Sequence, residues 1–402
     1  MTASKYVILG GGMVAGYAAK ELAERGLAAG ELSIISSDSV LPYERPPLSK
    51  GFLAGKEKEA SIFINDPSFY AKHGIEVRLS SVVERVDAPG KRLLMRDGDA
   101  VQFERLVIAT GAHLRALDTP GAARNGILYL RSLDDAKRIR TQAANAKRAV
   151  VIGGGFIGME VASALAQQGL ATTMVFPDER IWKRFFTPEM AAFFQRYYEA
   201  RHVSIIPGVR PVAFLGGTEV SAVVLDSGQQ LAADLVVAGI GVSPATEALA
   251  DSGLKLDNGV VVNEYLETSI PDIYAAGDVA NYRDLLFGKQ RRIEHWDNAV
   301  EQGKYIGRAL SGEHTPFSHV PYFFSDVFDL SYEYWGDAED ADTVGYRGTI
   351  SAGRFSTWWL KDGQVRAAFV MNQPGEEHDH ASQWIAERHQ VPAGFLEEAS
   401  PL

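Results

Sequence analysis

The chain has no cysteine among its 402 residues, and this absence removes several kinds of chemistry. It can form no disulfide, no thiolate nucleophile, no sulfenic acid and no cysteine-ligated metal centre. It also lacks any run approaching the roughly 18 to 20 apolar residues of a membrane span. Basic residues are in deficit, 40 Lys and Arg against 51 Asp and Glu, and the net charge of −11 argues against nucleic acid and anionic membrane surfaces as partners. A first strand beginning near Lys5 leaves no room for a signal peptide, so a cytoplasmic location is expected. The remaining composition, 46% apolar and 23% charged, suits a globular chain of two or three domains.

Glycine is the residue in good supply, and its placement carries the argument. From Lys5 to Gly26 (KYVILGGGMVAGYAAKELAERG) an apolar strand-like run meets Gly10, Gly12 and Ala15 at the spacing G-x-G-x-x-A, followed by apolar residues at helical intervals. Strand, glycine turn and helix make the opening of a dinucleotide-binding unit. Gly10 permits the tight turn, Gly12 has no Cβ to hold off a pyrophosphate, and Ala15 lets the helix pack on the strand. The stretch from Arg148 to Gly169 (RAVVIGGGFIGMEVASALAQQG) repeats the pattern with Gly153, Gly155 and Gly158. Two such units imply two nucleotides held at once, and the natural pair is a flavin and a nicotinamide nucleotide, since one passes a hydride to the other. Without cysteine, electrons leave from the flavin itself and not through a disulfide relay.

Several further segments carry candidate contacts. Glu31 to Ser36 reads as the second strand, and Ser37 or Asp38 just beyond it is placed to meet a ribose hydroxyl. Leu41 to Gly51 (LPYERPPLSKG) holds three prolines, which postpone any helix until after Pro47, so that one would start over Leu48 to Leu53. On the residues alone, Arg45 and Lys50 are equally a solvated pair on a rigid loop. Residues 75 to 101 read as short strands and Phe103 to Gly111 as a buried one. Asp234 to Pro244 gives another buried strand and a Gly-x-Gly loop containing Gly241, and TSIPDIYAAGD at residues 268 to 278 is an eleven-residue strand-and-glycine fingerprint. Asp297 or Asn298 can cap a helix running to about Leu310.

With its glycine units, the RPPLSK segment and no cysteine, the chain resembles the ferredoxin reductase, apoptosis-inducing factor and monodehydroascorbate reductase group of FAD enzymes, and along its length monodehydroascorbate reductase in particular. The resemblance implies an α/β fold: two Rossmann-like dinucleotide-binding domains of glutathione-reductase type plus a small α+β C-terminal domain. It divides the chain into an FAD domain (1–115 and 249–315), a nicotinamide nucleotide domain (116–248) and an interface domain (316–402) with a helix near Asp379 to His389. It places FAD against Gly10, Gly12, Ala15, Ser37 or Asp38, Arg45, Lys50, Thr110, Gly111, Arg131, Gly277, Asp278 and Trp296. It places NADH against Gly153, Gly155, Gly158, Glu160, Asp178 and Gly241. Lys50, Glu160 and Trp296 become the candidate catalytic residues, with Lys50 near flavin N5 paired to Glu160; the plainer alternatives are a solvated Glu160 and a Trp296 that belongs to the core. Asp178 in the place of a ribose-binding acid selects NADH over NADPH, while Arg180, Lys183 and Arg184 pull the other way.

The acceptor is the open question. The plant enzymes' substrate Arg and Tyr fall on Val300 and Phe324, which deprives an anionic radical of a charge and a hydroxyl. Trp296, Val300 and Phe324 are expected to line the edge from which electrons leave. Asp326 to Asp342 carries seven acids and no Lys or Arg, an awkward surface for an acidic ferredoxin. Three readings stand: a reductase of a small [2Fe–2S] redox protein, a reductase of an organic radical or quinone, and a redox-sensing interaction protein. A monomer or homodimer fits each. His378, His380 and His389 lack an acidic framework and read as surface residues, with no metal expected.

Overall fold

The computed structural model describes residues 2–372, 375–391 and 394–396. They form two compact units, one built from 1–44, 60–113 and 242–321 and the other from 45–59, 114–241 and 322–402.

The first unit is organised around the strand Thr2–Leu9. It lies between the parallel strands Leu32–Ile35 and Ala100–Ile108, with Ile8 opposite Ile34 on one side and Val107 on the other. A strand flanked on both sides and covered on both faces must be apolar throughout, and Val7 and Ile8 are wholly buried. Ile273–Ala275 adds to the far part of Ala100–Ile108, and the short strands Glu76–Arg78, Val83–Asp87 and Arg92–Met95 complete a seven-stranded sheet. The helices Met13–Glu24 and Trp296–Leu310 pack closely on each other. A Cβ on Gly303 would fall 2.9 Å from the Val14 carbonyl oxygen, so bulk there would part them.

The second unit holds a five-stranded parallel sheet in the order 203–207, 171–176, 148–152, 235–238, 127–129. An antiparallel meander covers Pro211–Gly216, Val220–Leu225 and Gln230–Ala232. The C-terminal part is a five-stranded antiparallel sheet, in the order 322–327, 330–336, 364–371, 354–361, 343–349, with the helix Gly375–Glu387. That helix begins earlier than the Asp379 expected from the sequence. Arg347 of this sheet and Glu377 of the helix, both 1% exposed, form a buried ion pair.

The repeat read from the sequence is a repeat of backbone geometry. Gly10 has φ +127° and Gly153 φ +130°, conformations that side-chain-bearing residues rarely adopt. A Cβ at Gly10 would lie 2.1 Å from the Ala109 carbonyl oxygen, and one at Gly153 would lie 2.3 Å from that of Gly239. In both units the glycine turn therefore passes against the residue that ends a neighbouring parallel strand.

Two local expectations are corrected. No α-helix starts at Leu48; Pro46–Ser49 forms a 3-10 turn instead, with proline in its first positions, where a missing N–H costs nothing. Neither Asp297 nor Asn298 caps the helix Trp296–Leu310. His295 occupies that position without a side-chain cap, so Asp297 falls inside the first turn, where its carboxylate bonds His319.

Candidate functional site

Helix starts show where the fold leaves backbone donors unspent. Six α-helices have a described N-cap. Asp66, Ser132 and Thr187 cap three of them with their side chains. The other three, Met13–Glu24, Phe156–Gln167 and Trp296–Leu310, have no side-chain cap. A cap contributes about 1 kcal/mol, so leaving it out at these helices keeps N–H groups available to an anionic ligand. The first two follow the glycine turns, Gly12 and Gly155 standing at their N-caps. Ala15, within the first helix, is fully buried. At the matching position of the second, a Cβ on Gly158 would meet the Gly153 carbonyl oxygen at 2.0 Å.

In the first unit the other expected contacts gather at strand ends. Ser37 is exposed and Asp38 half-buried just past Leu32–Ile35, the Asp38 carboxylate accepting from Tyr43 Oη at 3.1 Å and from the Ser39 N–H at 2.8 Å. Thr110 Oγ1 donates to the Ala245 carbonyl at 2.7 Å, and Gly111 turns the chain at φ +69°. Gly277 and Asp278 form a 3-10 turn beyond Ile273–Ala275. The Gly277 N–H donates to Gln302 Oε1 at 2.7 Å. Gln302 Nε2 and Asn298 Oδ1 are buried without a hydrogen-bond partner. Glu44, which the sequence reading passed over, accepts from Tyr17 Oη at 2.5 Å with one oxygen and from Trp296 Nε1 with the other. Burial first, and then Glu44, holds the Tyr17 hydroxyl well above its ordinary pKa. Trp296 is half-buried, but Val300 is 4% exposed and belongs to the hydrophobic core. Val300 therefore does not line an open edge.

In the second unit a buried cluster forms around Glu160. Lys50 Nζ and Ser325 Oγ donate to Glu160 Oε1 at 2.7 and 2.6 Å, and Ser49 Oγ donates to Oε2. Glu160 is 4% exposed and the Lys50 side chain 13%, so the pair is largely withdrawn from water. The Phe324 ring centroid lies 5.2 Å from Lys50 Nζ. Tyr198 and Tyr332, both buried, are pushed far up in pKa by burial and stay neutral beside the carboxylate. Among the described residues Lys50 is the basic group bonded to Glu160, and a carboxylate withdrawn from water is costly without such a partner. The expected Lys50–Glu160 pairing is thus present in the geometry, and the solvated reading of Glu160 is not. Arg45 donates to the Arg131 carbonyl. Asp178 is exposed just past the strand Ala171–Phe176. Its neighbour Glu179 binds both Lys183 at 2.7 Å and Arg180 at 2.5 Å. Gly241 turns at φ +96°, its carbonyl accepting from the Arg115 N–H at 3.0 Å.

Ser49 and Ser325 were not singled out from the sequence, although Ser49 lies inside the segment Leu41 to Gly51 and Ser325 directly follows Phe324. The bonds that reveal them join residues 111 and 165 positions apart.

Residues 4–303 match the pyridine nucleotide-disulphide oxidoreductase family, and residues 320–398 match the C-terminal domain of monodehydroascorbate reductase 3-like proteins. The chain belongs to the pyridine nucleotide-disulphide oxidoreductase family and is an FAD-dependent NAD(P)H oxidoreductase. It is 38% identical to the seedling isozyme of monodehydroascorbate reductase from Cucumis sativus, covering 93% of this chain and 92% of that one. It is also 38% identical to the peroxisomal monodehydroascorbate reductase 4 of Arabidopsis thaliana, over 94% and 81% of the two chains. In fold it matches a chain of the covalent putidaredoxin reductase–putidaredoxin complex at TM-score 0.94 and 33% identity, over 99% and 96% of the chains. The ferredoxin reductase for the CYP199A2 system of Rhodopseudomonas palustris follows at 0.89 and 31%, over 96% and 100%. No described helix is long and apolar enough to cross a membrane.

The family implies FAD and a nicotinamide nucleotide. The residues present fit both, with an uncapped helix behind each glycine turn and orphaned buried polar atoms on Asn298 and on Gln302, which bonds Gly277.

Proposed function

We propose that this protein is an NADH oxidoreductase that passes electrons, without any thiol intermediate, to a small iron–sulfur redox protein. The observation that carries the reading is the buried Lys50–Glu160 pair in a chain with no cysteine. Bound FAD supplies the chemistry, accepting a hydride from NADH and returning single electrons. The chain's own part is to bind, orient and hold charge. Lys50 offers a fixed cation where negative charge arrives with the hydride, and Glu160 keeps it in place. The N–H groups after Gly12 and Gly155 would hold phosphates and Asp278 would bond the flavin's ribityl chain, while the Glu44 carboxylate fixes Trp296. NADH is the donor because Asp178 is exposed just past its strand end, while Arg180 and Lys183, which would welcome a 2′-phosphate, are engaged by Glu179 and Arg184 lies over the Phe185 ring.

The acceptor reading rests on charge. An anionic radical needs a cation to meet it. Arg291 pairs with Asp284 at 3.3 Å, Arg292 with Glu294 at 2.6 Å and Lys304 with Glu301 at 2.6 Å. An organic radical is the second reading, favoured by the match of residues 320–398 to monodehydroascorbate reductase 3-like proteins. An NADH oxidation screen with several [2Fe–2S] ferredoxins, the ascorbyl radical and uncharged quinones separates them. The highest kcat/KM is expected with a ferredoxin. A radical that outperforms every ferredoxin would refute the acceptor assignment and leave the hydride step intact.

A further inference from the structure

The helix Phe156–Gln167 presents Phe156, Glu160 and Ser163 on one face, at positions i, i+4 and i+7. Each of the three is met by the hairpin made of the strands Tyr322–Val327 and Leu330–Gly336. The Phe156 ring lies edge-on to Phe323 with centroids 4.3 Å apart. Glu160 Oε1 accepts from Ser325 Oγ at 2.6 Å. Ser163 Oγ accepts from the Phe328 N–H at 2.7 Å. Contacts above and below thus fix the register of hairpin against helix, and Ser325, itself 0% exposed, can only stand opposite Glu160. Phe323 is stacked on Tyr334 at 4.9 Å within the same hairpin, so the strand carrying Ser325 is anchored on its buried side as well.

A buried carboxylate needs donors on both oxygens to hold one orientation. Oε2 has Ser49. Oε1 is shared by Lys50 and Ser325, and with the serine gone only the flexible Lys50 side chain would hold it. We propose that Ser325 is a positioning residue of the hydride step: it fixes the Glu160 carboxylate in the orientation that pairs Lys50, so that the C-terminal sheet helps to set the catalytic pair. Ser325 exchanges no proton or electron. Its hydroxyl hydrogen stays directed at Glu160 while two electrons and one proton move together as hydride from nicotinamide to flavin. The assignment rests on the reading that Lys50 and Glu160 act in that step.

The test is stopped-flow reduction of the bound flavin by NADH in the holoenzyme, with the flavin midpoint potential measured separately by dye equilibration. Ser325→Ala is expected to lower the limiting reduction rate about tenfold, the scale of one hydrogen bond to a charged group. The dissociation constant for NAD⁺ should change by less than about threefold, because Glu160 is only one of the nucleotide's expected contacts and the glycine turn, Asp178 and Gly241 are untouched. The potential should shift in the same direction as in Lys50→Met. Ser325→Thr, which keeps the hydroxyl, should recover most of the rate. In a Glu160→Gln background Ser325→Ala should cost nothing more. Ser163→Ala loosens the same seam one turn away, and it should lower the melting temperature while leaving the reduction rate alone. An unchanged rate in Ser325→Ala, a further loss in the Glu160→Gln background, or equal rate losses in Ser163→Ala and Ser325→Ala would each overturn the proposal. If Lys50→Met itself reduces at the normal rate, the hydride-step reading fails first. If Lys50→Met is slow and Ser325→Ala is normal, the positioning role alone is wrong.

Discussion

Gly153→Ala should separate the two nucleotide sites. At φ +130° an alanine is strained, which costs about 1–3 kcal/mol before any contact is considered. Its Cβ would then sit 2.3 Å from the Gly239 carbonyl oxygen, where ordinary contact begins at 3.4 Å. The turn must therefore retreat by roughly 1 Å from the end of the strand Leu235–Ala238, carrying the first N–H groups of Phe156–Gln167 with it; displacements of about 1 Å in a positioning element cost on the order of 100-fold. We expect KM for NADH to rise about 100-fold, equivalent to about 2.7 kcal/mol of lost nucleotide binding. The flavin should remain bound, because Gly10 and its helix lie in the other unit. The assay combines the flavin-to-protein absorbance ratio, steady-state KM for NADH, and photoreduction of the flavin, which bypasses the nucleotide. Gly10→Ala should invert the pattern and give colourless protein. A Gly153→Ala protein that loses its flavin, or keeps KM within twofold, would refute the assignment of the second glycine turn to the nicotinamide nucleotide.

Other expectations follow from the same geometry. Asp178→Ala should reduce the ratio of kcat/KM for NADH over NADPH, measured side by side; an unchanged ratio would show that the ribose is read elsewhere. Arg347→Met should destabilise the protein by about 3–5 kcal/mol, since it strands Glu377, whose Oε2 already lacks a partner, while the double change Arg347→Met/Glu377→Leu should restore most of the loss in urea unfolding. Asp234 accepts from the Arg148 guanidinium at 2.5 Å and from the N–H groups of Lys147 and Arg148, which hold its pKa below the ordinary 3.8. Its contribution is then complete above that value and disappears as pH falls through the depressed one. Asp234→Asn should accordingly melt lower than wild type at pH 7, with the gap closing on acidification below about pH 4.

What could be read in advance was what a single position must satisfy by itself. Gly10 and Gly153 are written in the sequence because no other residue meets their φ, and the apolar runs of buried parallel strands are legible for the same local reason. Lys50 and Glu160 could be paired because each sits in a recognisable segment. The donors that complete the site, Ser49 and Ser325, could not, since a serine carries no local sign of which carboxylate it will meet. The N-cap of Trp296–Leu310 failed for a related reason. Asp297 has the chemistry of a cap, but the helix starts one residue before it, and its carboxylate bonds His319 instead. Val300 reads as a substrate-edge residue by alignment, whereas the close approach of two helices at Gly303 turns its face of the helix into the core.

The family is named for a disulphide that this chain cannot form, and the consequence bears on the acceptor. With no thiol pair to store two electrons, discrimination between acceptors falls to shape and charge around the flavin and to the segments that control them. On the proposed reading the hairpin of 322–336 is such a segment, since Ser325 bonds Glu160, Phe324 lies over Lys50 and the acidic run of 326–342 begins within it. That run is less repellent than its composition suggests. Asp329 pairs with Arg201, Asp340 with Arg366 and Asp342 with Lys361, at 2.9, 3.1 and 3.5 Å, and Glu333 lies 2.9 Å from His378. Exposed pairs of this kind contribute little to stability, but they cancel much of the field that an approaching acidic protein would feel. The objection to an acidic redox partner, raised by counting charges along the sequence, therefore weakens once the charges are placed. The objection to an anionic radical does not weaken, because the cations of the 291–304 stretch are matched by carboxylates.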